Sequence, residues 1–238
     1  MNNFDCYNRV LISAFAASNK QKEFITRKYQ LLHEVYNYHS INPKSELYLG
    51  FNPAMIYNSS SKSYVYGIDP QDFIYLKNHN NSLIRIDSLD QLPSAVDSII
   101  SGDEFFTFMD HETEQRSFLS ECRKYVSRIV VTTLRDYKNQ DFKDKEFSFP
   151  SIIDHNGPKI YLEYHNHDGK LKNQWATNIY EINGTNLTIH GPFDRKAVYF
   201  KQLAKFTNDA GFSDFVVHKN LMYKSIIRKN YEHVISFS

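Results

Sequence analysis

The chain has 238 residues, 41% of them hydrophobic, and a formal net charge of +1. That composition describes a folding sequence with one substantial core, so a single domain over residues 1–238 is expected and intrinsic disorder is excluded. The near-zero charge excludes a global basic footprint for nucleic acid or an anionic membrane, and two cysteines, Cys6 and Cys122, are too few for a disulfide framework.

The N-terminal stretch MNNFDCYNRV has no basic region followed by an apolar run, so it does not read as a leader. No apolar run reaches the length of a membrane span. A cytosolic location is therefore expected. The wealth of Asn, Lys, Ile and Tyr, residues with AT-rich codons, hints at a viral, phage or reduced bacterial source. The N-x-S/T sequons at Asn58, Asn80, Asn183 and Asn186 are expected by chance in so Asn-rich a chain.

Two amphipathic helices are predicted within residues 1–40, with Tyr7, Val10, Leu11 and Phe15 on one face of the first, and Phe24, Tyr29, Leu32, Val35 and Tyr36 recurring along the second. Asn42-Pro43 ends this section. Over residues 45–137 the pattern predicts five βα units. Their strands are Leu47 to Phe51, Tyr64 to Ile68, Leu83 to Ile86, Glu104 to Met109 and Arg128 to Leu134, with helices around Leu92 to Ile100 and Glu114 to Tyr125. Strands apolar on both faces and alternating with helices predict an α/β fold with a mostly parallel sheet covered on both sides.

After Tyr137 the alternation stops. Residues 138–193 read as a charged loop and an antiparallel insertion with strands at Lys159 to Tyr164, Leu171 to Ile182 and Asn186 to His190, and turn signals at Asp168-Gly169 and Asn183-Gly184. Residues 194–238 read as a helix faced by Ala197, Phe200, Leu203, Ala204 and Phe206, then a closing pair of strands, Asp214 to His218 and His233 to Phe237.

This order of elements, from about residue 20 to the C-terminus, resembles the class I S-adenosylmethionine-dependent methyltransferases. The resemblance implies a Rossmann-like sheet of seven strands with the last one antiparallel. The family's Gly-rich loop, usually [DE]-x-G-x-G-x-G, corresponds to Tyr48-Leu49-Gly50-Phe51-Asn52-Pro53-Ala54. Gly50 is kept; Asn52 and Ala54 stand where glycines are usual, and Tyr48 where a carboxylate is usual. Asn tolerates a left-handed backbone, so Asn52 is expected to keep the turn; a plain strand-to-helix turn is the competing reading. The second strand, Tyr64-Val65-Tyr66-Gly67-Ile68-Asp69-Pro70, resembles the family's second motif, which implies that Asp69 binds the ribose hydroxyls. Asp69 lies about 20 residues after the first glycine, as in dinucleotide folds, with a helix N-cap as the competing reading. Asp87, in Ile86-Asp87-Ser88, is implied to face the adenine amino group or to serve a turn.

Asp110 and His111 follow the fourth predicted strand, where the methyl group is delivered in the family. His111 is a candidate base; Asp110 is a candidate catalytic acid or a helix cap. The expected cofactor is S-adenosylmethionine, with Gly50, Asn52, Asp69 and Asp87 binding it and an unidentified small or macromolecular acceptor as substrate. Tyr161, Tyr164, Trp175 and Tyr180 of the insertion are placed to cover the acceptor or to pack. No metal is expected: His165 and His167 share a strand face beside a turn but have no third ligand, and Asp110 with Asp136 lacks the Asp-Asn pair of catechol-type enzymes. The run Lys143 to Glu146 reads as a solvated loop, and Lys219, Lys224, Arg228 and Lys229 do not demand a phosphate partner. Neither a base amino-methyltransferase tetrad nor a Pro-Cys pair is present, which disfavours duplex base methylation. The rivals are a catalytically inactive relative serving as an interaction module with a protein partner, favoured by the depleted glycines, and another Rossmann-like nucleotide binder.

Overall fold

Two helices open the chain in the computed structural model: α1 (Asn3–Ala17) and α2 (Gln21–Tyr38). The structure describes residues 3–18, 20–57, 62–102, 105–109, 111–134, 151–152, 159–166, 174–224 and 231–238. The apolar faces read from the sequence are the buried ones, with Tyr7, Val10, Leu11 and Phe15 of α1 and Leu32, Val35 and Tyr36 of α2 in one core cluster.

The strands that follow are β1 (Ser45–Leu49), β2 (Lys62–Tyr66), β3 (Leu83–Arg85), β4 (Val96–Ser101) and β5 (Val126–Leu134). The helices α3 (Pro70–His79) and α4 (Glu112–Tyr125) carry the crossovers after β2 and β4. Among the described residues the connections after β1 and β3 hold only short 3-10 turns, Pro53–Ile56 and Leu89–Gln91. Four antiparallel strands, β6 (Ser151–Ile152), β7 (Ile160–Asn166), β8 (Gln174–Asn183) and β9 (Asn186–Lys196), form a separate sheet in that order. The chain ends with α5 (Phe200–Asp209), β10 (Phe215–Lys224) and β11 (Tyr231–Phe237).

The main sheet has seven strands in the order β10-β11-β5-β4-β1-β2-β3. Strands β1 to β5 pair in parallel, and β11 is antiparallel to both of its neighbours. The alternation of buried residues sorts the layers: Tyr48, Ile100 and Val131 pack with α1 and α2, while Leu47, Leu49, Ile99 and Val130 pack with Leu119 of α4 and Leu203 and Phe206 of α5. No helix among the described residues is long and apolar enough to cross a membrane.

One strand was misplaced by the sequence pattern. The segment EFFTFM is not the fourth strand; its core, Phe105–Phe108, is a 3-10 turn, and the fourth strand is Val96–Ser101, where a helix around Leu92 to Ile100 was expected. The physical reason is burial from two sides. Phe105 and Phe106 sit in the core under α4, so the run is apolar without strand alternation. The antiparallel insertion is present, with the turn at Asn183-Gly184, but its last strand runs on from His190 to Lys196 and the short β6 was not expected. The Asp168-Gly169 signal, His167, Asp136 and the run 143–146 lie outside the described residues, as do Arg228 and Lys229.

Candidate cofactor site

In an open α/β sheet the ligand crevice lies beyond the carboxyl ends of the parallel strands. Three of the chain's eight glycines stand at that edge, each directly after one of three adjacent strands: Gly67 after β2, Gly50 after β1 and Gly102 after β4. Gly50 and Gly67 have φ of 76° and 75°, a left-handed backbone that other residues adopt only at a cost. The edge is knit by the bonds Gly50 N–H to Tyr66 C=O at 2.8 Å and Gly102 N–H to Leu49 C=O at 2.6 Å. Sequence reading singled out Gly50 alone. The signal for Gly67 was available in Tyr66-Gly67-Ile68-Asp69; that for Gly102 was hidden, because the strand before it has the spacing of a helix.

Asp69 caps α3: its Oδ1 accepts the Gln71 N–H at 2.9 Å. Its other oxygen faces Arg9 of α1, with Nη2 to Oδ2 at 2.9 Å. Arg9 also reaches Asp72 at 3.3 Å. Burial lifts the Asp72 carboxyl above its ordinary value, with the Arg9 guanidinium pulling the other way. Asp87 is exposed and pairs with Arg85, whose Nε donates to the Ile68 carbonyl at 2.9 Å. Between these groups lies a cleft of about 380 Å³ lined by Asp5, Tyr66, Gly67, Asp69, Arg85 and Asp87. The structure thus brings Asp69 and Asp87 to one opening.

Asn52 does something other than expected. Its backbone is extended (φ −138°, ψ 123°), and its Oδ1 accepts the Ala54 N–H at 3.0 Å as cap of the 3-10 turn. The left-handed residue of the loop is Gly50 instead. Tyr48 also turns away from the loop. It is buried on the α2 side of β1, where its hydroxyl donates to Glu46 Oε2 at 3.2 Å. Tyr36 donates to the other Glu46 oxygen at 2.8 Å and meets Ser98 Oγ at 2.9 Å. Burial first, and then Glu46, push both phenols well above their ordinary value.

The N-terminal helix lies over the glycine edge. A Cβ added at Gly50 would stand 2.3 Å from the Phe4 ring, and one at Gly67 would stand 3.6 Å from it. Asn8 Oδ1 accepts the Phe51 N–H at 2.9 Å, and Asn8 Nδ2 donates to the Phe4 carbonyl at 2.9 Å and reaches the Gly67 carbonyl at 3.5 Å. Phe4 packs edge-on against Phe105 and Phe108, with centroids 4.8 and 5.3 Å away. Behind it Arg195 of β9 stacks on Tyr7 and Phe108 at 4.3 and 4.4 Å, and Ser13 meets the Tyr161 hydroxyl at 3.0 Å.

His111 is exposed and occupies the N-cap of α4 without a side-chain capping bond. Asp110 lies outside the described residues. Of the insertion aromatics, Tyr161 and Trp175 are buried in the two core clusters and serve packing. Among the described residues no group of three or more His, Cys, Asp or Glu is placed to hold a metal ion.

Strand order, the antiparallel β11 and the glycine edge together match a known architecture. The chain has the class I methyltransferase fold. Similar solved structures include the CcbJ methyltransferase from Streptomyces caelestis, at 13% identity and a TM-score of 0.65 over 89% of this chain and 88% of that one. They include S-adenosylmethionine-bound CalS10, an amino pentose methyltransferase from Micromonospora echinaspora, at 7% identity and a TM-score of 0.65 over 94% of each chain. A third is an S-adenosylmethionine-dependent methyltransferase from Clostridium acetobutylicum, at 9% identity and a TM-score of 0.61 over 89% of each chain. No protein-family model and no curated protein sequence matches the chain. At these identities the likeness speaks for the fold, and function is argued from the site.

Proposed function

We propose that this protein binds S-adenosylmethionine at the carboxyl edge of β1, β2 and β4 and transfers its methyl group to an acceptor. The observation that carries the reading is the cleft between Asp69 and Asp87 beside the bare backbone of Gly67. Those residues fit the adenosyl half of the cofactor: a carboxylate at the end of β2 accepts two hydroxyl hydrogen bonds, and Asp87 accepts from an amino group. The half beside Gly50 suits a ligand lying against backbone, and it is the half that Phe4 covers. S-adenosylmethionine supplies an electrophilic methyl group on a sulfonium, so the protein's part is largely positioning. Gly50, Gly67 and Gly102 let the ligand approach, and Asp69 fixes its orientation. His111, an exposed imidazole at the start of α4, is the candidate base for an acceptor proton, with Asp110 beside it in sequence.

A second reading keeps the fold without catalysis, as an interaction module. It is favoured by Phe4 standing against Gly50 and by Arg9 holding Asp69. Calorimetric titration with S-adenosylhomocysteine separates the two. Under the cofactor reading the protein binds, and Asp69→Ala weakens binding by about 1.5–3 kcal/mol, the cost of hydrogen bonds to a charged group. An unchanged affinity in a folded Asp69→Ala variant would reduce Asp69 to a helix cap, and no heat at millimolar ligand would favour the module.

A further inference from the structure

We propose that the first two turns of α1, Phe4 to Arg9, are a built-in plug of the cofactor cleft that must swing aside before the methionine half can bind. This inference rests on the cofactor reading above. Three side chains of one helical segment meet three separate parts of that seat. The Phe4 ring covers Gly50 and Gly67, Asn8 spans the Phe51 N–H and the Gly67 carbonyl, and Arg9 pairs with Asp69. Each contact takes an interaction that a ligand needs: the open face of the glycines, the loop's backbone groups, and the acid of β2.

The contacts differ in strength. The Arg9 side chain is 46% exposed, and a surface ion pair contributes little. Phe4 is 7% exposed and held by Phe105 and Phe108, and Tyr7 is 1% exposed against Phe108 and Phe193, so the plug's hold lies in two rings, of which only Phe4 covers the glycines. The rest of α1 is a fixed anchor, since Val10, Leu11, Ile12, Ala14 and Phe15 are 0–4% exposed. A helix end opens at lower cost than its middle; with the hinge at the exposed Arg9, opening also draws Tyr7 from beneath Arg195. The adenosyl cleft stays open with the plug in place, so binding proceeds adenosine first, and the methionine half follows when Phe4 leaves.

The test compares S-adenosylhomocysteine with adenosine alone, by calorimetry, on the full chain and on Phe4→Ala, with amide hydrogen exchange read over residues 3–9. Phe4→Ala is expected to bind S-adenosylhomocysteine at least tenfold tighter and adenosine unchanged. In the unsubstituted protein S-adenosylhomocysteine is expected to speed exchange over residues 3–9. Where Phe4→Ala does not fold, Arg9→Gln at the exposed end of the plug replaces it, and severalfold tightening of both ligands by release of Asp69 supports the proposal. Tight binding of S-adenosylhomocysteine with residues 3–9 as protected as before, and no gain in either variant, overturns the plug and leaves the cofactor site standing. Failure of both ligands to bind a variant whose residues 3–9 exchange freely overturns the cofactor reading itself, and the plug with it.

Discussion

Restoring the family's usual carboxylate at position 48 is expected to damage the protein rather than improve its site. Tyr48 is 3% exposed, packed on the α2 side of β1 with its hydroxyl 3.2 Å from Glu46. Tyr48→Asp removes a buried aromatic ring, a change that costs about 3–5 kcal/mol when the cavity is left open. It also deletes a hydrogen bond worth about 1 kcal/mol and sets a second carboxyl two residues from Glu46 on the same strand face. The sum is about 4–6 kcal/mol. For a chain of this size 1 kcal/mol moves Tm by about 2–4 °C, so Tyr48→Asp should melt roughly 8–24 °C lower. Tyr48→Phe keeps the ring and should lose only about 2–4 °C. Thermal melting by circular dichroism, with S-adenosylhomocysteine titrated into whatever remains folded, reads both. A Tyr48→Asp protein that melts within about 4 °C of the parent, or that gains affinity for the ligand, refutes the placement of this side chain and its network.

Gly50→Ala combines a left-handed backbone with a Cβ 2.3 Å from the Phe4 ring; it should cost about 1–2 kcal/mol in backbone strain alone and displace Phe4, seen as lost amide protection near residue 4. His39 and His218 both meet Ser236 Oγ at 2.8 Å, and burial lowers both imidazoles from 6.5, with Asp214 opposing at His39 and His39 adding to the effect at His218. Depressed folded values mean that the unfolded chain takes up these protons first as pH falls. Stability should therefore be full above about 6.5 and decline as pH drops through the lowered folded values. A urea midpoint that stays flat through that window, or one that His39→Gln with His218→Gln leaves equally steep, contradicts this assignment.

The sheet and its helices were legible because period and composition agree there. Tyr7, Val10, Leu11 and Phe15 share a helix face and are buried together, and the apolar runs of β1, β2 and β5 fall where they were expected. The fourth strand was not legible, since Leu92, Val96, Ile99 and Ile100 lie at helical spacing while Phe105 and Phe106 make a denser apolar run. Of the site, Asp69 was read as a cofactor ligand or a helix cap, and the structure shows the capping bond together with the ion pair to Arg9. The reading missed the partners. Nothing in the local pattern of Phe4, Asn8 and Arg9 shows that they meet residues 50 to 69, because that contact exists only once the sheet has brought three strand ends together. The orientation of Tyr48 was open in the sequence, and the structure turns it to Glu46, two residues back on its own strand.

The aromatic stack around Phe108 has a consequence for how the chain is made. Phe108 touches Phe4 and Tyr7 of α1, and Arg195 lies over both Tyr7 and Phe108. During synthesis α1 leaves the ribosome well before residue 195 exists. At 5–20 residues per second, nearly 190 residues of delay amount to roughly 10–40 s. Through that interval Phe15 can meet Phe51 and Phe4 can meet Phe105 and Phe108, but the face of Tyr7 still lacks Phe193 and Arg195. A nascent chain halted before β9 should therefore leave the Tyr7 face of α1 open to chaperones, and one released after Lys196 should not.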